Sequence, residues 1–381
     1  MHIGIQASCI RQFTAGITIC LINFMVGIAA SWSSPVQSLL KSNNSPVGPL
    51  TDREFSWIGS LPPIGAICGA FFWNEIIHHL GRKKSALLVT ATFFVSNLIC
   101  CFCTSYYQLL LARFLCGIGI VGCMINNGNY LSEISETKYK GMLCSLTVVV
   151  AVMGALFVII QGSFLSYFHI NLITTIACGI LLVVLLLYIP ESPVHLLRKG
   201  QEHKSKEILK WLRCTEDEYV LDRELKILKN SFLNTSQSTR KLSVAEVHSN
   251  PYYLKVLIIS SVIQTGVSLS GISVVMGYAH DIVERMLSDP NAGQYAIFLL
   301  LSQSLGCILN IFLCRKVNRK VCLVTAHTLC CLTLLTVGLL LVALIDRRDK
   351  SMLSGQCGRF SRHQSTAGRP CVDTLENDSE Q

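Results

Sequence analysis

Nine apolar runs alternate with short charged segments along the chain. The run that anchors the reading extends from Phe114 to Ser132 without a formal charge, between Arg113 and Glu133. Roughly 20 such residues in an α-helix match the hydrocarbon thickness of a bilayer, so the run predicts a membrane-spanning helix. The same criterion predicts spans at about 12–34, 56–77, 86–105, 107–131, 141–165, 169–189, 255–279, 293–314 and 321–345. The predicted fold class is therefore an all-α polytopic membrane protein. Between the sixth and seventh spans, residues 196–213 and 217–230 have helical spacing with mixed charge. They predict short amphipathic helices rather than a further span.

Composition agrees with lipid as solvent. Only 14% of the 381 residues are charged and 51% are hydrophobic, where soluble domains carry about 25% charged residues. The net charge of +9 does not imply nucleic acid, because the basic residues are distributed by loop rather than by patch. With the N-terminus cytoplasmic, twenty-two Lys and Arg fall in inner segments, against Lys41, Arg53 and Arg285 outside. The positive-inside rule fixes that orientation. Between 191 and 246, eleven basic and nine acidic residues nearly balance, which does not read as a polybasic lipid anchor. Only about a dozen residues precede the first apolar run, and that run is too long for a cleavable signal.

The 18 cysteines lie mostly inside apolar runs and form no paired CxxC knuckle. They read as small hydrophobes, not zinc ligands. His78 and His79 are adjacent, so on a helix they point apart and make a poor metal site. Gly117-Ile118-Gly119-Ile120-Val121-Gly122 satisfies a dinucleotide fingerprint but lacks the strand that motif requires. Its glycines, like Gly65 and Gly69, read as sites of close helix approach. Asn126, Asn127 and Asn129 read first as helix–helix hydrogen-bonding groups and second as ligand contacts. No nucleophile–base pair stands out, which argues against an enzyme, and no cofactor is implied. Asn43-Asn44-Ser45 is a glycosylation sequon on the outer side, at Asn43, weakened by Pro46. Asn234-Thr235-Ser236 is a second sequon on the inner side, where it stays silent.

Gln264, Thr265, Ser268, Ser270 and Ser273 in the seventh span, with Ser302, Gln303 and Ser304 in the eighth, are neutral hydroxyls and amides. They suit either helix packing or an uncharged polyol ligand. No Asp or Glu sits near the middle of a span, which favours passive movement over proton coupling.

Several motifs occur in an order that resembles the sugar porters of the major facilitator superfamily over about residues 12–345. They are Leu80-Gly81-Arg82-Lys83-Lys84, the RFLCGIG that begins at Arg113, Tyr130 with Glu133, Lys140-Gly141, Pro190-Glu191-Ser192-Pro193 and Ser270-Gly271-Ile272. The likeness is greatest to the facilitated-trehalose-transporter branch. It implies two six-helix halves rocking around a central sugar site, and a latch of charges among Arg82, Glu133, Lys140, Glu191 and Arg319 at the cytoplasmic side. Gln264, Ser268, Ser270, Ser273 and Gln303 are then the candidate sugar contacts.

The resemblance divides the chain into a six-span half (1–190), a cytoplasmic helical loop (191–254), a partial second half (255–345) and a polar tail unlike the family (346–381). It also has departures. Val267 and Ser268 stand where the family has glutamines, Ser273 where it has Asn, Gly128 where it has Pro, and Val194-His195 where it has Arg-Trp. Arg315 stands in place of an acid. The expected function is facilitative transport of a trehalose- or hexose-type sugar across the plasma membrane, with the sugar and the lipid bilayer as partners. The alternative is a truncated, non-transporting homologue acting as a sensor or inactive partner.

Overall fold

The structure is a computed structural model that describes residues 2–43, 45–238, 250–272, 274–278, 292–318, 320–336 and 338–339. Among the described residues the regular structure is entirely helical. Seven helices are long and apolar enough to cross a membrane, and the predicted eighth and ninth spans have apolar cores at Ile297–Leu313 and Lys320–Thr336. The expected tail at 346–381 lies outside the described residues. The chain divides into two compact units, Met1–Asn318 and Arg319–Gln381. The described part of the second is helical, Lys320–Thr336 with residues 338–339.

The first unit begins with α1 (His2–Ser31) and α2 (Ser33–Lys41), which together make the first span. The break between them has a local cause. Pro35 lacks an amide hydrogen and its ring crowds the carbonyl of Ser31, so the helix interrupts at Trp32 and restarts. Next, α3 (Asp52–Leu80) opens on a capping box: Thr51 Oγ1 accepts the Glu54 N–H at 3.3 Å, and Glu54 Oε2 accepts the Thr51 N–H at 2.9 Å. It is followed by α4 (Arg82–Cys101), α5 (Tyr106–Ile134), α6 (Thr137–Phe164) and α7 (Tyr167–Tyr188). These pack as α3 on α5, α1 on α6, and α4 between α5 and α7.

Glycine sets the closest crossings. A Cβ on Gly117 of α5 would lie 2.8 Å from both the carbonyl carbon and Cα of Pro62 in α3. On Gly154 of α6 it would lie 2.9 Å from the carbonyl carbon of Phe24 in α1. Both are shorter than real side chains tolerate, so each pair of backbones meets only because no side chain intervenes. Trp73 fills the space beside Gly122, and its indole N–H donates to the Ile118 carbonyl at 2.8 Å. Asn127 Nδ2 donates to the Ile19 carbonyl at 3.0 Å, and Asn126 Nδ2 to the Arg82 carbonyl at 3.2 Å. The span amides thus act as inter-helix hydrogen-bonding groups, while Asn129 is exposed.

Three short helices follow: α8 (Pro193–Arg198), α9 (Glu202–Arg213) and α10 (Glu218–Ser238). Arg213 of α9 grips Glu224 of α10 through Nε (3.0 Å) and Nη2 (2.7 Å), and its Nη1 donates to the Ile134 carbonyl at the end of α5. A planar guanidinium satisfied on both sides ties this layer to the bundle. Arg11 of α1 adds a second tie, its guanidinium lying 5.6 Å from the Trp211 ring centroid.

The seventh span begins with α11 (Pro251–Leu269), capped by Asn250 Oδ1 on the Tyr252 N–H at 3.0 Å. It turns at Ser270–Gly271, where Gly271 has φ +75°, and then continues to Tyr278. Then α12 (Ala292–Lys316) packs on α6. Large apolar side chains such as Ile67, Phe71, Ile180 and Leu187 are exposed on outward faces, as lipid-facing helices require.

Candidate functional site

Two sites emerge: a buried ionic cluster at the α3–α4 turn, and a cavity in the middle of the bundle. The turn exists because Gly81 adopts φ +91°, ending α3 and starting α4 in one residue. A side chain here would also meet Glu191 Oε2 and the His195 ring, both 2.7 Å from a built Cβ.

Arg82, next in sequence, is therefore aimed into the bundle. Its Nε and Nη2 reach Glu133 Oε2 and Oε1 at 3.0 and 2.7 Å, with only 5% and 12% of the two side chains exposed. The third donor, Nη1, reaches the Ile77 carbonyl at 3.3 Å. Ser192 Oγ donates to the same Glu133 Oε2. Glu191 Oε1 accepts three backbone N–H groups, from Arg82 (2.8 Å), Lys83 (3.2 Å) and Ser192 (2.9 Å). That carboxylate sits on the positive end of α4, where helix geometry stabilises it. Tyr130 OH closes the group by donating to the Pro190 carbonyl at 3.0 Å. A low-exposure, two-pronged pair is strong once made and costly to break.

Of the five residues expected in a latch, the structure brings together Arg82, Glu133 and Glu191. Lys140 is exposed and makes no ion pair among the described residues. Arg319 lies outside the described residues. The part played by Ser192 is carried only by its place next to Glu191. Arg213 with Glu224 has no signal in the sequence at all, since the two sit on separate helices.

His195 is 3% exposed, and neither ring nitrogen has a hydrogen-bond partner. Burial, reinforced by the Arg82, Lys199 and Arg198 charges and opposed by Glu133, depresses its pKa to about 4. The folded chain refuses a proton that the unfolded chain accepts below about pH 6.5. Its contribution to stability is therefore intact above pH 6.5 and is lost as pH falls towards 4, by at most about 3 kcal/mol. Thermal unfolding at pH 7.5 and pH 5 is expected to show a smaller acid-induced drop for His195→Leu than for the unsubstituted chain. Equal drops would remove His195 from the account.

The central cavity measures about 440 Å³ and is lined from α1, α2, α3, α5, α6, the 272–278 segment and α12. Most of its wall is apolar, including Val26, Pro63, Met124 and Met276; its polar groups are Ser33, Arg113, Tyr278 and Gln303. No carboxylate lines it among the described residues. Arg113 is 5% exposed, stacks 4.9 Å from the Trp32 ring centroid and donates through Nη2 to the Ala29 carbonyl at 2.9 Å.

Of the expected ligand contacts, Gln303 lines this cavity. Gln264 and Ser268 are exposed on α11, and Ser270 is half-buried away from the cavity wall. The Ser268 and Ser270 hydroxyls donate back to the Gln264 and Val267 carbonyls. Ser273 lies outside the described residues. The chain redirects at Gly271, and the residues after that turn, Ile272 to Tyr278, supply the wall. Tyr278 had no distinguishing mark in the sequence. Asn43 is exposed in the loop between α2 and α3.

Comparison with known proteins agrees with this fold. A facilitated trehalose transporter Tret1-2 homolog from Drosophila simulans is 25% identical over 327 residues, covering 86% of this chain and 66% of that protein. Trehalose transporter 1 of Drosophila melanogaster is also 25% identical, with 38% of its length covered. The chain thus spans less than two thirds of these relatives. Among solved structures, the xylose transporter XylE from E. coli in a partially occluded inward-open conformation superposes with a TM-score of 0.65 at 17% identity. That superposition covers 81% of this chain and 74% of XylE. The family model for sugar (and other) transporters matches residues 5–357, so the chain, folded as a major facilitator helical bundle, belongs to that family.

Proposed function

We propose that this chain moves a neutral sugar of trehalose or hexose type across the plasma membrane by alternating access, with its N-terminus in the cytoplasm. The observation that carries the reading is the central cavity. Its volume of about 440 Å³ suits a sugar, Ser33, Tyr278 and Gln303 offer uncharged hydrogen-bonding groups, and no carboxylate lines it among the described residues. Orientation rests on the excess of Lys and Arg in the segments flanking α3–α4, α5–α6 and α8–α10. In this reading Arg82, Glu133 and Glu191 hold the cytoplasmic end closed, and Lys140 is a further candidate for that latch, Arg319 lying outside the described residues. Gln303 contacts the sugar; Ser273, outside the described residues, is a further candidate, and Gln264, Ser268 and Ser270 lie before the turn at Gly271. Asn43 is the glycosylation candidate on the outer surface.

The test is uptake of labelled trehalose and glucose by the full chain in a transport-null cell. Saturable uptake that ignores an imposed pH gradient is expected. Gln303→Leu removes a hydrogen-bonding group and is expected to cut uptake roughly tenfold. Surface-expressed chain with no uptake above background would overturn the carrier reading in favour of a non-transporting homologue.

A further inference from the structure

A second hollow of about 440 Å³ is lined from the start of α4, the end of α8 and α9. Lys83, Lys84, Lys199 and Lys204 line it, together with Glu191, Glu207, His195 and apolar Leu80, Leu196 and Ile208. The four lysines form no ion pair with a carboxylate among the described residues. Glu191 is held by backbone donors, its Oε1 accepting three N–H groups. Glu207 is largely exposed and lies 3.5 Å from His203 Nδ1. The four lysines outnumber the two carboxylates, so a net formal charge of +2 gathers from three elements around one concavity. His195, buried and without a partner for either ring nitrogen, forms part of its wall.

We propose that this hollow binds a phosphate-bearing ligand, either the headgroup of an inositol phospholipid or a soluble phosphate ester. Lysine ammonium groups act as mobile point charges that suit a phosphate's several oxygens. A neutral imidazole adds one N–H donor towards the same anion. An occupant spans α4, α8 and α9 and so ties the start of α4 to the layer beneath it. Because ligand binds the folded form, it raises the unfolding temperature. The balanced charge count of residues 191–246 hides this site, since two of its four lysines come from another loop more than a hundred residues away.

The experiment uses the full chain in phosphatidylcholine nanodiscs, measuring binding and unfolding temperature. One arm adds phosphatidylinositol 4,5-bisphosphate to the bilayer; the other adds soluble inositol 1,4,5-trisphosphate to nanodiscs of phosphatidylcholine alone. Saturable binding with a raised unfolding temperature is expected in at least one arm. A response in the lipid arm alone identifies a membrane headgroup, and a response in both identifies the phosphate ester itself.

The variant carrying Lys83→Gln, Lys84→Gln, Lys199→Gln and Lys204→Gln is expected to bind more than tenfold more weakly. The variant carrying Lys138→Gln, Lys210→Gln, Lys226→Gln and Lys229→Gln, with the same loss of charge elsewhere, is expected to stay within twofold. If the first variant unfolds, the exposed Lys199→Gln and Lys204→Gln pair replaces it. No saturable binding in either arm, or equal weakening by both sets, would overturn the proposal.

Discussion

Arg82→Gln is expected to lower the stability of the purified chain by about 3–5 kcal/mol, because it strands the Glu133 carboxylate in a site only 12% exposed. Few single changes on this molecule have a comparable reach. The lost guanidinium also releases the Ile77 carbonyl, and Ser192 Oγ alone remains on Glu133. Glu133→Gln is expected to cost less, since an amide oxygen still accepts from Arg82 while the cation loses its counter-charge. The double variant Arg82→Leu with Glu133→Leu removes both charges and is expected to recover most of the stability, because desolvation of the pair is removed with it.

Transport separates the two roles of this cluster. If the cluster gates one end of the pathway, the double variant folds but its uptake falls sharply. A double-mutant cycle of unfolding free energies checks the coupling. A single-variant loss below about 1 kcal/mol, the scale of exposed surface pairs, would show that the pair is solvated.

The second large effect is steric. Gly117→Val places a branched side chain against the Pro62 backbone, 2.8 Å from its carbonyl carbon and Cα at the first added atom. Backbone cannot swing aside as a side chain can, so α3 and α5 must separate. Gly117→Val is expected to abolish monodisperse, folded protein in detergent chromatography, with Gly117→Ala intermediate. Gly128, eleven residues along the same helix, has nothing within 4 Å of a built Cβ. Gly128→Ala is therefore expected to be tolerated, and to gain up to about 1 kcal/mol from helix propensity. Wild-type behaviour of Gly117→Ala would refute the close crossing.

The sequence was informative wherever one residue's neighbours along the chain decide its environment. Hydropathy located the spans because lipid imposes it on every helix; the expected 107–131 became Tyr106–Ile134 and 169–189 became Tyr167–Tyr188. The predicted 12–34 extends to Lys41 because α2 resumes the helix beyond the interruption at Trp32. Arg82, Glu133 and Glu191 were legible because each lies at a helix end in a recognisable motif. The cavity wall was not. Hydroxyls in Ser268 and Ser270 look alike whether they meet a ligand or their own helix carbonyls, and only the turn at Gly271 shows which residues reach the cavity. Arg213 with Glu224, and the four lysines of the second hollow, depend on elements meeting in space, which no local pattern records.

The two glycine crossings have a further consequence. Counting spans, one joins the first to the fifth and the other the second to the fourth. An exchange of spans one, two and three with four, five and six carries either crossing onto the other and leaves the α4–α7 contact in place. Such an inverted duplication within a six-helix half is a recurrent way to build transporters. Gly117 of span four then answers to Gly27 of span one, which meets the Ala151 backbone, and Gly154 of span five to Gly65 of span two, which meets the Phe114 backbone. A repair that rescues a bulky substitution at one joint is expected to work, transplanted, at its twin.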